Sequence, residues 1–300
     1  MAMYALVDAS NFFASCEQNF RPSLKGVPLV VLSNNDGNAI ARSEEAKALG
    51  IKMGAPWFQI RHMEAPHGLV GLSANFPLYG DMSNRLMSLV AGLGHRTEVY
   101  SIDEAFCDVE GIPGDLTERA FKIRARIHRW LGLQCGVGIG STKTLAKLAN
   151  HVSKDAERKP GSYPAHLAQV CNYEALSEKE KREILKSTLV GDIWGIGRRL
   201  GAQLAEVGVI TSLDLAQMDP MLVRRKWSVV LERTVRELNG QSCIALEDIP
   251  TEKKQIAVTR SFGAPVTEIG GLLAAVSEFA ARAGEKLRKQ GSFARQLYVF

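Results

Sequence analysis

The 300-residue sequence lacks the features that place a protein in a membrane or in an oxidising compartment. No apolar run approaches the ~18 residues of a membrane-spanning helix. The amino terminus has no basic region of the kind that opens a secretory signal. The five cysteines are isolated and form no Cys-x-x-Cys pair, which argues against a disulfide framework and a structural zinc site. Reduced thiols and a cytoplasmic location are therefore expected.

Repeats and low-complexity tracts are also missing, which argues against a solenoid. The apolar content is high enough to offset chain entropy, which argues against global disorder. The composition, 46% hydrophobic and 23% charged, is that of a soluble globular protein. At ~150 residues per domain, the length predicts about two domains or several smaller ones.

The net charge of +5 is unevenly distributed along the chain. Residues 1–110 contain 8 basic and 12 acidic residues, whereas residues 111–170 contain 10 basic and 4 acidic ones. An acidic part followed by a basic part is compatible with a cation site beside a polyanion site. It is equally compatible with ordinary uneven surface charge.

The first 170 residues alternate between strand and helix patterns. An apolar strand over 3–7 ends at Asp8, and a hairpin over 98–109 carries Asp103 and Glu104 near its middle. A basic amphipathic helix over 116–131 precedes a glycine-interrupted strand and a further helix. This order predicts an α+β sheet domain.

The sequence pattern changes twice after residue 170. Residues 171–240 form short helical segments broken by glycines, which predicts a separate helical domain. A polar linker over 241–254 follows, and then a strand (255–262), a long helix (268–289) and a second strand (294–300). Because this is too little for an independent core, the last domain is expected to be incomplete.

Three carboxylates stand on apolar strands. Asp8 follows Ala5-Leu-Val7, and Asp103 and Glu104 precede Ala105-Phe106. Burying carboxylates is costly unless they are paired or bind a metal, and such oxygen ligands suit Mg²⁺. In the alternative, Asp103 and Glu104 lie on an exposed turn and Asp8 caps the next helix.

The motifs, taken together, resemble those of the Y-family translesion DNA polymerases, and most closely their UmuC branch, the catalytic subunit of bacterial DNA polymerase V. They occur in order along nearly the whole chain: 5–17 (ALVDASNFFASCE), 30–37 (VVLSNNDG), 40–54 (IARSEEAKALGIKMG), 100–108 (YSIDEAFCD), 136–140 (GVGIG), 142–150 (TKTLAKLAN), 194–199 (WGIGRR), 230–238 (VLERTVREL) and 261–263 (SFG). Relatives continue past residue 300, so the chain is expected to be C-terminally truncated, as a fragment or naturally.

The resemblance implies an α+β multidomain, right-hand polymerase fold. The domains it implies are an α+β palm (1–20 and 80–170), small fingers (21–79), a helical thumb with a helix-hairpin-helix (171–240), a linker (241–254) and a partial α/β little finger (255–300).

By the same resemblance, Asp8, Asp103 and Glu104 are the catalytic carboxylates and hold two Mg²⁺ ions. The carbonyl of Ala9 is a further expected ligand. These ions activate the primer 3′-hydroxyl and stabilise the departing pyrophosphate.

Phe13 falls where the family places its sugar-selecting aromatic residue. A ring beneath the sugar excludes a 2′-hydroxyl by steric bulk. UmuC-like chains often carry Tyr there, so this Phe lacks a polar handle. Core packing is the alternative role for Phe13 and its neighbour Phe12.

Arg42, Lys47 and Lys154 are the expected triphosphate ligands. Lys47 matches a basic position of the family's finger helix, and Arg42 lies on the same segment. Lys159 competes with Lys154, because residues 155–161 depart from the family pattern. Solvated helix charges are the alternative.

Residues 193–197 resemble the turn of a helix-hairpin-helix. The backbone N–H groups of Gly195 and Gly197 would approach a DNA phosphate, and Arg198 and Arg199 would add charge. Such contacts predict DNA binding that is independent of sequence and strongly dependent on salt.

The resemblance implies error-prone, template-directed lesion-bypass synthesis in DNA repair and the SOS response. Primer-template DNA and deoxynucleoside triphosphates are the implied substrates, and a processed UmuD-like dimer and a RecA filament are the implied partners. A sliding-clamp contact is in doubt because the tail that makes it is absent. A catalytically weak or inactive remnant that binds primer-template DNA, and a nucleotide cyclase, are the alternatives.

Overall fold

The computed structural model describes residues 2–33, 37–247, 254–260, 262 and 264–300. In these ranges the strands are β1 (Tyr4–Ala9), β2 (Leu29–Leu32), β3 (Ala39–Arg42), β4 (Val70–Ser73), β5 (Arg96–Val99), β6 (Glu104–Asp108), β7 (Cys135–Gly140) and β8 (Val170–Asn172). The α-helices are α1 (Phe12–Phe20), α2 (Glu44–Ala48), α3 (Trp57–Ile60), α4 (Glu64–His67), α5 (Phe76–Val90), α6 (Leu116–Leu131), α7 (Lys143–Arg158), α8 (Glu178–Ser187), α9 (Arg198–Ala205), α10 (Ser212–Ala216), α11 (Pro220–Lys226), α12 (Val229–Leu238) and α13 (Ile269–Gln290). No helix in the described ranges is long and apolar enough to cross a bilayer.

The largest sheet has the strand order β5-β6-β1-β7-β8, and all its pairs are antiparallel except β7–β8. Its central strand β1 is covered on both faces, which explains why its apolar run is continuous rather than alternating. Val7 packs with Leu86 of α5 and Ile127 of α6, whereas Leu6 packs with Ala146 of α7. The predicted α+β sheet and the β5–β6 hairpin are confirmed.

Helix α7 lies unusually close to β7, and glycines make this possible. A Cβ atom on Gly138 would stand 2.1 Å from the backbone N of Asn150 and 2.2 Å from the backbone O of Ala146. Thr142 caps the helix, since its side chain accepts a hydrogen bond from the Leu145 N–H. The opposite face of α7 carries Leu145 and Leu148, which pack into the core of the helical region.

A second, smaller sheet has the order β3-β2-β4, with β2 antiparallel to β3 and parallel to β4. Its core includes Val30, Leu32 and Ile60. Residues 57–73 contribute the short elements α3, α4 and β4 to this region. The quoted motif 30–37 lies partly outside the described residues, because residues 34–36 are not described.

Helices α8 to α12 share one core, in which Leu204, Leu215 and Val223 are fully buried. Ser177 begins α8 with a capping box, in which its side chain and that of Glu180 satisfy each other's backbone N–H groups. The prediction of helix throughout 171–240 is wrong at its start, because β8 extends to Asn172. A strand of three residues has no detectable period, and its pairing with β7 defines it.

The strands predicted for 255–262 and 294–300 are wrong in the described residues, which contain no strand there. A strand needs a partner for its backbone hydrogen bonds, and the described part of the chain provides none for either segment. The predicted helix between them is confirmed as α13, which buries none of its residues. Residues 261 and 263 of the quoted SFG motif lie outside the described residues.

Part of the predicted linker contacts the sheet domain. Leu246 packs with Leu6 and Phe106, and the Glu247 N–H donates to Glu98 at 2.8 Å. Residues 241–247 contain no helix or strand, as predicted, yet they are held against the protein. Residues 248–253 lie outside the described ranges.

Candidate active site

The three predicted carboxylates meet at one end of the central strands. Asp8 near the end of β1 is the register partner of Glu104, the first residue of β6. The Ala9 N–H donates to the backbone O of Asp103 at 2.8 Å, which holds the hairpin turn against β1. Strand pairing therefore brings together residues that are far apart in the sequence.

Burial and mutual repulsion disfavour the charged forms of two of these carboxylates. Burial is the main cause of the raised pKa of Asp103, and the negative charge of Asp8 raises it further. Burial also raises the pKa of Glu104, with Asp8 and Asp103 adding to the effect. Hydrogen bonds oppose these shifts: Ser101 Oγ donates to Asp103 Oδ1 at 2.6 Å. Such a cluster favours a cation.

Helix α7 supplies cations and a hydrogen-bond donor to this cluster. Lys154 Nζ lies 2.5 Å from Asp8 Oδ2, and Lys147 Nζ lies 2.7 Å from Glu104 Oε2. Asn150 Nδ2 donates to Asp8 Oδ2 at 3.0 Å, whereas its buried Oδ1 has no partner. The three residues share one helix face because their spacings of three and four follow the helical repeat.

A cavity of about 250 Å³ opens beside Asp8 and Asp103. Its lining combines acidic, aromatic and basic side chains. The predicted site residues among them are Asp8, Ala9, Phe13, Arg42, Lys47, Asp103 and Lys154. The structure thus brings most of the predicted catalytic, sugar-selecting and triphosphate-binding residues around one space.

Phe13 and Phe12 occupy different environments. Phe13 is half-buried and stacks on Tyr79, with ring centroids 4.3 Å apart and planes 14° apart. Phe12 is only 3% exposed and packs in the core of the sheet domain. Tyr79 is fixed in turn by a hydrogen bond from its hydroxyl to Glu17 Oε1 at 2.8 Å.

The basic wall of the cavity is held by local contacts. Arg42 Nη1 donates to the Ile51 carbonyl at 2.7 Å, and its buried Nε has no partner. Lys47 contacts Asn11 and Glu44, and burial lowers its pKa. Lys159, by contrast, is 67% exposed and pairs with Asp155 at 2.8 Å, away from the cavity lining.

The predicted phosphate-binding turn lies in the helical region. Gly195 has a φ of 86°, a left-handed conformation that favours glycine, and Gly197 caps helix α9. Arg198 and Arg199 begin that helix and are exposed, as are both glycines. The turn therefore presents backbone and positive charge to solvent.

Comparison of the sequence with known proteins shows the family of this chain. The sequence profile described as the impB/mucB/samB family matches residues 7–151, and the profile of its C-terminal domain matches residues 253–300. Protein SamB of Salmonella typhimurium is 45% identical over 300 residues, which are 99% of this chain and 69% of SamB. Protein UmuC of Salmonella typhimurium strain LT2 is 44% identical with the same coverage.

The chain belongs to the impB/mucB/samB family.

Solved structures show the fold of this family member. The crystal structure of DinB from Sulfolobus solfataricus superposes with a TM-score of 0.65 at 27% identity, over 82% of this chain and 69% of that one. A Y-family DNA polymerase chimera superposes with a TM-score of 0.73 at 22% identity, over 95% and 80% of the two chains, which shows the fold alone. The predicted Y-family fold and the resemblance to UmuC are confirmed, and the cyclase alternative is wrong.

In the structure, Lys154 pairs with Asp8 and Lys147 pairs with Glu104. The carboxylates do not surround a common point. Among the residues that the structure describes, no group of three His, Cys, Asp or Glu is arranged to hold a metal ion. The donor chemistry nevertheless fits Mg²⁺: three carboxylates lie together, and two of them have raised pKa values.

Several site residues escaped the sequence reasoning. Tyr79 stacks under Phe13, Asn150 bonds Asp8, and Arg158 lines the cavity 3.4 Å from Glu44. The last two lie on α7 at helical spacing from Lys147 and Lys154, so a helix-face analysis of residues 143–158 would have found them. No local signal distinguishes Tyr79 from a core residue.

Proposed function

We propose that this Y-family DNA polymerase extends a primer under template direction by two-metal nucleotidyl transfer, as the error-prone lesion-bypass enzyme of an SOS response. One observation carries the proposal: Asp8, Asp103 and Glu104 converge where β1 and β6 pair, and Asp8 and Asp103 line a cavity that basic and aromatic side chains also line. A processed UmuD-like dimer, a RecA filament and a cytoplasmic location are part of the proposal, on family grounds. The domain limits given above are proposed with it.

In this proposal Asp8, Asp103, Glu104 and the Ala9 carbonyl hold two Mg²⁺ ions. When bound, the ions supply the positive charge that activates the primer 3′-hydroxyl and orients the triphosphate. Lys154 and Lys147 hold the carboxylates in place until then, and both are close enough to remain as neighbouring positive charges.

The triphosphate is bound by Lys154, Lys47 and Arg42. All three line the cavity, and the unpartnered Nε of Arg42 leaves a donor available for an anion. The exposure of Lys159 and its pairing with Asp155 favour Lys154 over Lys159. Gly195, Gly197, Arg198 and Arg199 bind a phosphate of the primer-template duplex, since they are exposed together.

Primer extension tests the proposal directly. The 300-residue chain, in excess at low salt with Mg²⁺, is expected to add at least a few nucleotides to a primer. The Asp103→Asn, Glu104→Gln double variant preserves side-chain size but removes two charges, and should lower the rate on the order of a thousandfold or more.

The matched control is Asp81→Asn, Glu118→Gln, which removes two exposed charges from α5 and α6 and should extend normally. Loss of extension in the carboxylate variant alone supports the proposal. Primer-template binding without extension by the parent chain, even with the expected partner proteins added, would instead establish the inactive remnant.

Phe13→Ala is expected to raise the incorporation of ribonucleotides relative to deoxyribonucleotides by about tenfold to a hundredfold. The ring lies on the cavity wall, stacked on Tyr79, where its bulk excludes a 2′-hydroxyl. Competition between the two nucleotide types in single-turnover extension measures the ratio. Phe20→Ala changes a 62% exposed ring at the end of the same helix and serves as the control. An unchanged ratio for Phe13→Ala would refute the assignment.

A further inference from the structure

The turn proposed to bind DNA also contacts the residues around Glu104. Trp194 lies in that turn, and its indole Nε1 donates a hydrogen bond to the Tyr100 hydroxyl at 3.0 Å. The two rings pack edge-to-face, with centroids 5.6 Å apart. Tyr100 belongs to the turn between β5 and β6, and its N–H donates to the backbone O of Glu104 at 3.1 Å. The Trp194 side chain thus links the helical region to the β5–β6 hairpin, which carries Asp103 and Glu104.

Three aromatic rings surround the ammonium group that holds Glu104. Lys147 Nζ lies 4.3 Å from the ring centroid of Tyr100, 5.6 Å from that of Trp194 and 5.8 Å from that of Phe106. The same ammonium group lies 2.7 Å from Glu104 Oε2. Cation–π attraction at partly desolvated rings stabilises such a position. Lys147 holds Glu104, and its own position therefore depends on its contacts with the three rings.

The solvent exposure of the rings favours a coupling role for Trp194 over simple core packing. Phe106 is fully buried, but Tyr100 is 43% exposed and Trp194 is half-buried. Gly195 and Gly197, which follow Trp194 in the turn, are exposed. A ligand that binds the turn backbone thus acts on a segment whose tryptophan side chain reaches Tyr100 and Lys147.

We propose that Trp194 is a positioning residue, which couples phosphate binding at the 193–197 turn to the position of the Glu104 carboxylate. It acts through the Tyr100 hydroxyl and the Lys147 ammonium. The proposal rests on the proposed polymerase function. Duplex binding shifts the turn, Trp194 carries the shift to Lys147, and Lys147 sets where Glu104 stands.

Kinetics separate this role from DNA affinity. Trp194→Ala is expected to lower the single-turnover incorporation rate about tenfold and to raise the Mg²⁺ concentration at half-maximal rate, as loss of an outer-shell partner does. The dissociation constant for primer-template DNA should stay within about twofold. Tyr100→Phe removes only the hydroxyl and should give part of the effect. Trp130→Ala, at a 65% exposed tryptophan of α6, should change neither quantity.

A double-mutant cycle tests the route through Lys147. If Trp194 acts through the lysine, the Trp194→Ala, Lys147→Met double variant is little slower than Lys147→Met alone. Additive losses, or a Trp194→Ala effect confined to DNA affinity, would overturn the proposal. A lower melting temperature with normal rate and Mg²⁺ dependence would show a purely structural role and would overturn it equally.

A spectroscopic readout keeps the test independent of activity. The protein contains four tryptophans, so 5-fluorotryptophan labelling gives four ¹⁹F resonances, each assignable by a Trp→Phe variant. Primer-template DNA and, separately, Glu104→Gln are both expected to shift the Trp194 resonance and to leave that of Trp130 unchanged. A Trp194 resonance that responds to neither contradicts the coupling even if primers are extended. Shifted resonances without any extension by the parent chain would contradict the proposed function instead.

Discussion

Gly138→Ala is expected to lower the free energy of unfolding by about 3 kcal/mol, at the upper end for added bulk in a packed interior. The new methyl group would stand 2.1 Å from the Asn150 backbone N and 2.2 Å from the Ala146 backbone O. Backbone atoms of a helix cannot rotate away as a side-chain end can. The whole of α7 must therefore move off β7, and Lys147, Asn150 and Lys154 move with it.

The midpoint of urea denaturation, followed by circular dichroism, measures this loss. Gly80→Ala is the matched control, because Gly80 lies within α5 and a Cβ there meets nothing within 4 Å. That variant should gain about 0.4–1 kcal/mol, since alanine restricts the unfolded chain. Equal midpoints for Gly138→Ala and the parent protein would show that α7 does not lie as close to β7 as described.

Glu237→Ala is expected to cost about 4 kcal/mol, because it leaves two buried and two partly buried donors without an acceptor. Glu237 is 0% exposed. Its Oε2 accepts hydrogen bonds from the N–H and hydroxyl of Thr144, at 2.9 and 2.8 Å. Its Oε1 accepts from the N–H groups of Cys243 and Ile244, both at 2.9 Å. One carboxylate thus joins α12, the start of α7 and the segment that follows α12.

Glu237→Gln separates hydrogen bonding from packing. Both carboxylate oxygens accept from N–H groups, so the amide nitrogen of glutamine would face donors in either orientation. Glutamine should therefore destabilise the protein nearly as much as alanine, although its size is unchanged. Glu183→Gln, at an exposed position of α8, should stay within about 0.5 kcal/mol of the parent protein. If Glu237→Gln were as stable as the parent protein, the Glu237 side chain would contribute by packing rather than by accepting hydrogen bonds.

The sequence predicts a site residue correctly where the chemical reason for that residue lies in its immediate sequence neighbours. Asp8, Asp103 and Glu104 are conspicuous because charges on apolar strands need a reason, and strand pairing does bring Asp8 opposite Glu104. Gly195 and Gly197 likewise stand out through the glycine spacing of one turn, and the structure adds that Gly195 has a positive φ and Gly197 caps α9. The family resemblance then gave these residues their expected roles.

The sequence was uninformative where the reason is a distant partner. Glu237 lies in an ordinary amphipathic pattern, and its donors Thr144 and Cys243 belong to other segments. Tyr79 differs from a core aromatic residue only through its stack on Phe13. The segments 255–262 and 294–300 have strand-like composition, but pairing rather than propensity decides whether a strand forms.

Helix α7 completes two cores at once, since Ala146 faces β1 while Leu145 and Leu148 face helices α8 to α12. The sheet domain and the helical region therefore share this helix, and either one expressed without it would expose part of its core. Amide hydrogens of β7, α7 and the buried helices should accordingly exchange with solvent in one cooperative opening. Helix α13, by contrast, buries none of its residues, so exchange of its amide hydrogens does not need that opening.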